Sequence, residues 1–291
     1  MTGALAALWE PFLEFAFMRR AFVACIAIAA GAAPVGVMLV LRRMSLVGDA
    51  MSHAILPGVA AGFFLAGFSL FLMSLGGFLA GLAVALLAAL VTRLTEQRED
   101  ASFAAFYLTA LALGVLLVSS RGSSMDLMHV LFGSILGVDN ASLLLVGSVT
   151  TLTLILMAVF FRPLVMESLD PQFLRSVGGG GALWHLLFMI LVVMNLVSGF
   201  HALGTLMSVG LMMLPAAAAR YWAQEIWTLM ASAVLIAIAA SYVGLLVSYY
   251  GDYSTGPAIV LVAGGFYVLS VLLGPRGSLQ QRYFQRRHLE A

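Results

Sequence analysis

The sequence predicts an all-α polytopic membrane protein: a bundle of eight or nine transmembrane helices with a short cytoplasmic helix between two of them. Three observations carry this. Of 291 residues, 63% are hydrophobic and only 9% charged, where a soluble domain usually carries about 25% charged residues. The mean hydropathy is +1.07. The apolar residues also fall in runs of roughly 20, the length of helix that crosses about 30 Å of hydrocarbon.

Taken in order, the chain opens with residues 5–17, where Trp9, Phe12, Phe15 and Phe17 suit the headgroup level and predict an interfacial helix. Glu10 and Glu14 precede Arg19 and Arg20, the reverse of a basic leader, so the first apolar run is expected to remain in the mature protein. Spans are predicted at 21–41, 48–67, 70–92, 102–119, 140–161, 183–200, 202–220, 226–249 and 256–273. Those at 48–67 and 202–220 are short, polar-spotted and contain Pro57 and Pro215. Either could be broken or re-entrant, which leaves eight crossings as the alternative to nine. The whole is expected to be one transmembrane domain over 1–291, with an N-terminal interfacial segment at 1–20, a cytoplasmic loop at 162–182 and a cytoplasmic tail at 275–291.

All fourteen basic residues are arginine, and their places orient the bundle. Arg42–Arg43, Arg93–Arg98, Arg162–Arg175, Arg220 and the tail from Arg276 to Arg287 are expected on the cytoplasmic side. Nine alternating crossings put all of these loops on one side and the N-terminus outside, with Arg19, Arg20 and Arg121 as exceptions. The loop RPLVMESLDPQFLRSVGGGGA at 162–182 starts acidic, places Pro171 where a first helical turn tolerates it, and ends in glycines. It reads as a short amphipathic helix on the cytoplasmic face, or as a solvated loop.

Asp49 and His53 stand four residues apart inside a span, on one helix face. An ionisable residue at the helix centre costs about 2.5–3.5 kcal/mol, so such residues face a bundle interior or water with a partner. A carboxylate with an imidazole is a partial site for a divalent transition metal; the alternative is a mutual hydrogen bond that locks helix packing. Two residues cannot complete a four-coordinate site. His201 lies at the expected outer mouth, as a metal-receiving residue or a wetted loop histidine, and Asp126 with His129 form a second pair spaced for one helix face in an outer segment. Met207, Met212 and Met213 read as filler before they read as soft ligands. His185 and His288 read as solvated.

Several function classes are excluded. The one cysteine, Cys25, allows no disulfide within the chain and reads as a small packing residue. No basic stripe suggests nucleic acid. No G-x-x-x-x-G-K-[ST] loop is present, so the chain has no phosphate-loop ATPase of its own, and H-E-x-x-H is absent as well.

Six segments, in order, bear a family resemblance: LRRMSLVGDAMSHAILPGVAAGFFLAG at 41–67, REDASFAAFYLTALALGVLL at 98–117, DLMHVLFGSILGV at 126–138, ESLDPQFLRSVG at 167–178, GTLMSVGLMMLPAAAARY at 204–221 and SYYGDYSTGPAIVLVAGGFYVLS at 248–270. Together they resemble the permease subunits of bacterial zinc/manganese-type metal-uptake ABC importers. The resemblance implies a permease dimer in the bacterial inner (plasma) membrane, a cytoplasmic ABC ATPase that carries the ATP, and an extracytoplasmic metal-binding protein that delivers the ion. It implies that Asp49 and His53 line the metal path, with no permanently bound cofactor. It also implies a coupling helix against the ATPase at about Ser168–Gly178, with Glu167, Ser168, Asp170, Pro171, Phe173, Arg175 and Gly178 as the contact residues. The glycine run 178–181 departs from the family's single glycine, which leaves the end of that helix open. His201 is held as an extra zinc-favouring ligand, because many members carry an uncharged polar residue there.

The expected function is therefore an importer permease, with zinc as first cargo and manganese (or iron) as the alternative. Five histidines mildly favour the borderline-soft ion. The rival from another class is an intramembrane metal-dependent hydrolase built on Asp49 and His53.

Overall fold

The computed structural model describes residues 9–120, 138–176, 178 and 180–280. These residues form helices and short connections, with no strand among them. The helices are α1 (Ala16–Leu41), α2 (Ser45–Ala54), α3 (Leu56–Ala66), α4 (Leu70–Leu94), α5 (Glu99–Ser120), α6 (Asn140–Val159), α7 (Phe161–Leu169), α8 (Pro171–Ser176), α9 (Gly181–Leu203), α10 (Thr205–Ala219), α11 (Ile226–Gly251) and α12 (Thr255–Leu273). Among the described residues eight helical stretches are long and apolar enough to cross a membrane, counting α2 and α3 as one, and α10 is a ninth, shorter one. With 15 residues, α10 is about 22 Å long, short of the hydrocarbon thickness.

Of the two proline-bearing spans that could be broken, the one with Pro57 is broken, and the one with Pro215 runs on as the continuous α10. Ile55 separates α2 from α3, because Pro57 has no N–H for the carbonyl four residues back and its ring crowds that turn. The carbonyl concerned is that of His53, so the interruption falls directly after the candidate metal residue. Residues 9–14 are helical and lie on α11, with the Phe12 ring 5.3 Å from that of Tyr242 and the Trp9 ring 5.6 Å from it.

The loop at 162–182 holds two short helices where one was expected. Asp170 breaks the chain between α7 and α8 and caps the second, its Oδ1 accepting from the Phe173 N–H at 2.9 Å. Pro171, placed at the first position of α8, cannot continue α7. Gly178 and Gly180 then adopt φ of +72° and +64°, conformations that side chains rarely allow, and α9 begins at once.

At the centre stand α1 and α9, whose residues are mostly buried, with α6, α10 and α11 around them. Small residues let helices meet backbone to backbone. A methyl group on Gly58 of α3 would run into the Gly76 carbonyl of α4, and one on Gly36 of α1 into the Met212 carbonyl of α10. Gly264 of α12 faces open space. Gly58→Ala is therefore expected to lower the melting temperature of the detergent-solubilised protein, at an overpacking cost of about 1–3 kcal/mol. Gly264→Ala should leave it unchanged or raise it through helix propensity. Equal shifts in the two variants would show that the α3–α4 contact is not tight.

Candidate metal site and its surroundings

Asp49 lies one turn and His53 two turns into α2. Their side chains share a face, with His53 Nε2 3.8 Å from Asp49 Oδ1. That distance is too long for a hydrogen bond, so the pair does not lock itself together. The His53 side chain is 31% exposed and that of Asp49 64% exposed. His53 stacks on Tyr107 of α5 with ring centroids 6.4 Å apart, and its Nδ1 is buried without a hydrogen-bond partner. Ser52 donates its hydroxyl to the Asp49 carbonyl at 2.7 Å, which steadies this turn and leaves the carboxylate unengaged. The side chains of Met212 and Met213 lie against Gly48, the residue before Asp49. The arrangement offers one oxygen and one nitrogen donor to an ion, oriented by a fixed helix and a fixed ring.

Of the other candidates, His201 does not join this pair. His201 ends α9, sixteen residues beyond His185 and so about 24 Å along the helix from it. It sits edge-on to Phe200 at 5.1 Å, with Nε2 buried and unpartnered. Asp126 and His129 lie outside the described residues. Among the described residues no group of three or more His, Cys, Asp or Glu side chains is close enough to hold an ion. Among the described residues, Asp49 and His53 thus have no third such side chain beside them.

The sequence reading missed a second polar cluster, at the arginine-bearing end. Arg42, which caps α1, donates from Nε to the Ser168 hydroxyl of α7 at 3.1 Å and contacts His185 Nδ1 of α9 through Nη1 at 3.2 Å. Its guanidinium lies 4.0 Å over the Phe188 ring. His185 Nε2 is 3.2 Å from Glu99 Oε1 of α5. Burial pulls the Arg42 pKa down to about 10, opposed by the charges of Glu167 and Glu99, so the group remains a cation at neutral pH. The cluster borders a cavity of about 720 Å³. His185, read above as solvated, is only 14% exposed, because α9 starts deep against Arg42.

Of the residues expected to contact an ATPase, Glu167 is only 4% exposed and Ser168 is buried too; both turn inward toward Arg42. Asp170 is exposed and spends Oδ1 on its cap. Phe173 is 50% exposed while its neighbour Leu174 is buried, so α8 is anchored by one apolar side chain and presents the other. Gly178 is exposed. The side chains of Pro171 and Arg175 lie outside the described residues.

Comparison with known proteins gives consistent results. A manganese import system permease protein of Streptococcus parasanguinis is 34% identical over 90% of this chain and 92% of its own length. A manganese transport system membrane protein of Halalkalibacterium halodurans is 28% identical over 95% of this chain and 94% of its own. The solved structure of PsaBC from Streptococcus pneumoniae in complex with Fab superposes with a TM-score of 0.84 at 30% identity, covering 97% of this chain and 99% of that one. The ABC 3 transport family matches residues 14–274. With its apolar helices and these membrane relatives, this multi-pass plasma-membrane protein belongs to the ABC 3 transport family.

Proposed function

We propose that the chain is the membrane permease of an ATP-driven importer of divalent transition metal ions, with manganese as the first cargo and zinc the second. The observation that carries the reading is the Asp49–His53 pair, two donors on one face held 3.8 Å apart inside a membrane span. Zinc, the expectation from the histidine count, loses its main support. His201 stands at the far end of α9 from His185, so the number of histidines does not describe the site. A carboxylate with one imidazole suits a hard or borderline ion such as manganese, and relatives bear manganese names. The hydrolase reading lacks the H-E-x-x-H pattern that would supply a general base.

A second copy of the chain is the natural cover for Asp49. Its side chain is 64% exposed on the single protomer, and a carboxylate facing hydrocarbon is costly. Two copies facing each other would bring two carboxylates and two imidazoles to one path. An extracytoplasmic metal-binding protein would load that path. A cytoplasmic ATPase would grip α8, where Phe173 is half exposed, and drive the alternation of access.

The test is ATP-dependent uptake into proteoliposomes that hold the permease with its ATPase and metal-binding protein. Manganese uptake should depend on ATP and survive an equal concentration of zinc. ATP-driven zinc uptake without manganese uptake would overturn the cargo. Absence of any ATP-driven metal uptake would overturn the reading itself.

A further inference from the structure

Arg42, His185, Glu99 and Ser168 come from four elements that are far apart in sequence, and they meet at the arginine-bearing end of the bundle. Arginine only donates hydrogen bonds. His185 Nδ1 must therefore accept from Arg42, which puts the ring proton on Nε2, the nitrogen 3.2 Å from Glu99 Oε1. The imidazole bridges the two sides, accepting from Arg42 through Nδ1 and holding Nε2 3.2 Å from Glu99 Oε1 in a close electrostatic contact. A protonated ring would turn a donor toward the guanidinium and open the link.

One end of this bridge lies just before the helix that carries His53, and the other on the helix that stacks against it. Arg42 closes α1. Arg43 follows in a left-handed conformation at φ +59°, and α2 with Asp49 and His53 starts at Ser45. Glu99 is the first residue of α5, the helix whose Tyr107 stacks on His53. On its other side Arg42 is bonded to Ser168, near the end of α7, and α8 follows after Asp170 alone. A displacement of α8 thus reaches α2 and α5 through three side-chain contacts, without passing through the apolar core.

Building on the importer reading, we propose that the Arg42–His185–Glu99 bridge with Ser168 is the link through which movement of the α7–α8 loop is transmitted to the metal path, making His185 and Arg42 positioning residues for transport. A group that only stabilised the fold would alter yield. A transmission link alters how much metal moves per ATP.

The experiment compares wild type, His185→Ala and His185→Gln in complexes reconstituted with the ATPase and metal-binding protein, reading manganese uptake, ATP hydrolysis and retention of the ATPase. Glutamine keeps one acceptor for Arg42 and one donor for Glu99. His185→Ala should keep hydrolysing ATP while uptake per ATP falls about tenfold, the size of an ordinary coupling free energy between sites. His185→Gln should restore most of it. Wild-type uptake per ATP in His185→Ala, or a glutamine variant as defective as the alanine one, overturns the proposal. Should His185→Ala fail to assemble, Ser168→Ala, which removes a single hydroxyl, decides in the same way: reduced uptake per ATP supports the link and unchanged uptake overturns it. A wild-type complex that moves no metal overturns the importer reading and this inference with it.

Discussion

Replacing Asp49 by alanine is expected to abolish ATP-driven metal uptake while the protein folds and binds its ATPase as before. The carboxylate stands largely exposed on its protomer, 3.8 Å from His53 Nε2. Its side chain is 64% exposed, so its removal should leave the packing of α2 unchanged. On the proposed function, what would be lost is one of the two donors proposed for the ion. Even partners in the outer shell of a metal site cost about 10–100-fold when removed, so loss of a direct donor should cost about 100-fold or more in uptake. His53→Ala should match it in uptake but also vacate the face of Tyr107, with a small loss of thermal stability in addition. Uptake near wild type in both variants would falsify the path. Loss of folded yield in Asp49→Ala would mean that the carboxylate is structural.

The membrane helices were legible in the sequence because burial in lipid demands long apolar runs, and little else produces them. Pro57 marked a span that is broken, because its missing N–H and ring interrupt the turn before it; Pro215, flagged in the same way, sits inside the continuous α10. The loop at 162–182 was half legible. Asp170 and Pro171 read as the start of one helix, but α7 runs in from the membrane helix before them, so the same residues also end a helix. The spacing of Asp49 and His53 gave their shared face. It could not give the 3.8 Å separation, which decides against a mutual hydrogen bond and leaves both groups available to an ion. The cluster around Arg42 was not legible at all. Residues 42, 99, 168 and 185 meet only because the bundle brings the ends of α1, α5, α7 and α9 together, and each alone looks like a polar residue at a helix end. Glu167 and Ser168 show how this misleads. In the sequence they belong to the stretch that resembles a coupling element, and in the fold they turn inward and leave Phe173 and Asp170 outside.

That outward face is where the second large effect is expected. Phe173→Asp should detach the ATPase subunit or leave it bound without productive hydrolysis. On the permease alone the ring is half exposed, while the adjacent Leu174 is buried and holds α8 in place. The capping bond to Asp170 uses the backbone N–H of Phe173, so the substitution leaves the helix start intact and changes only what the partner meets. Covering a phenylalanine at an interface is worth about 1.5–3 kcal/mol. Seating an unpaired carboxylate in that interface would add a desolvation penalty of several kcal/mol. The sum is enough to move a tight complex into the micromolar range or beyond, because each 1.4 kcal/mol is a factor of about ten. Phe173→Leu, which keeps the apolar contact, should retain the ATPase and most of the transport. Co-purification of the ATPase with each variant, together with its hydrolysis rate in proteoliposomes, makes the comparison. If Phe173→Asp holds the ATPase and stimulates it as wild type does, α8 is not where the ATPase docks.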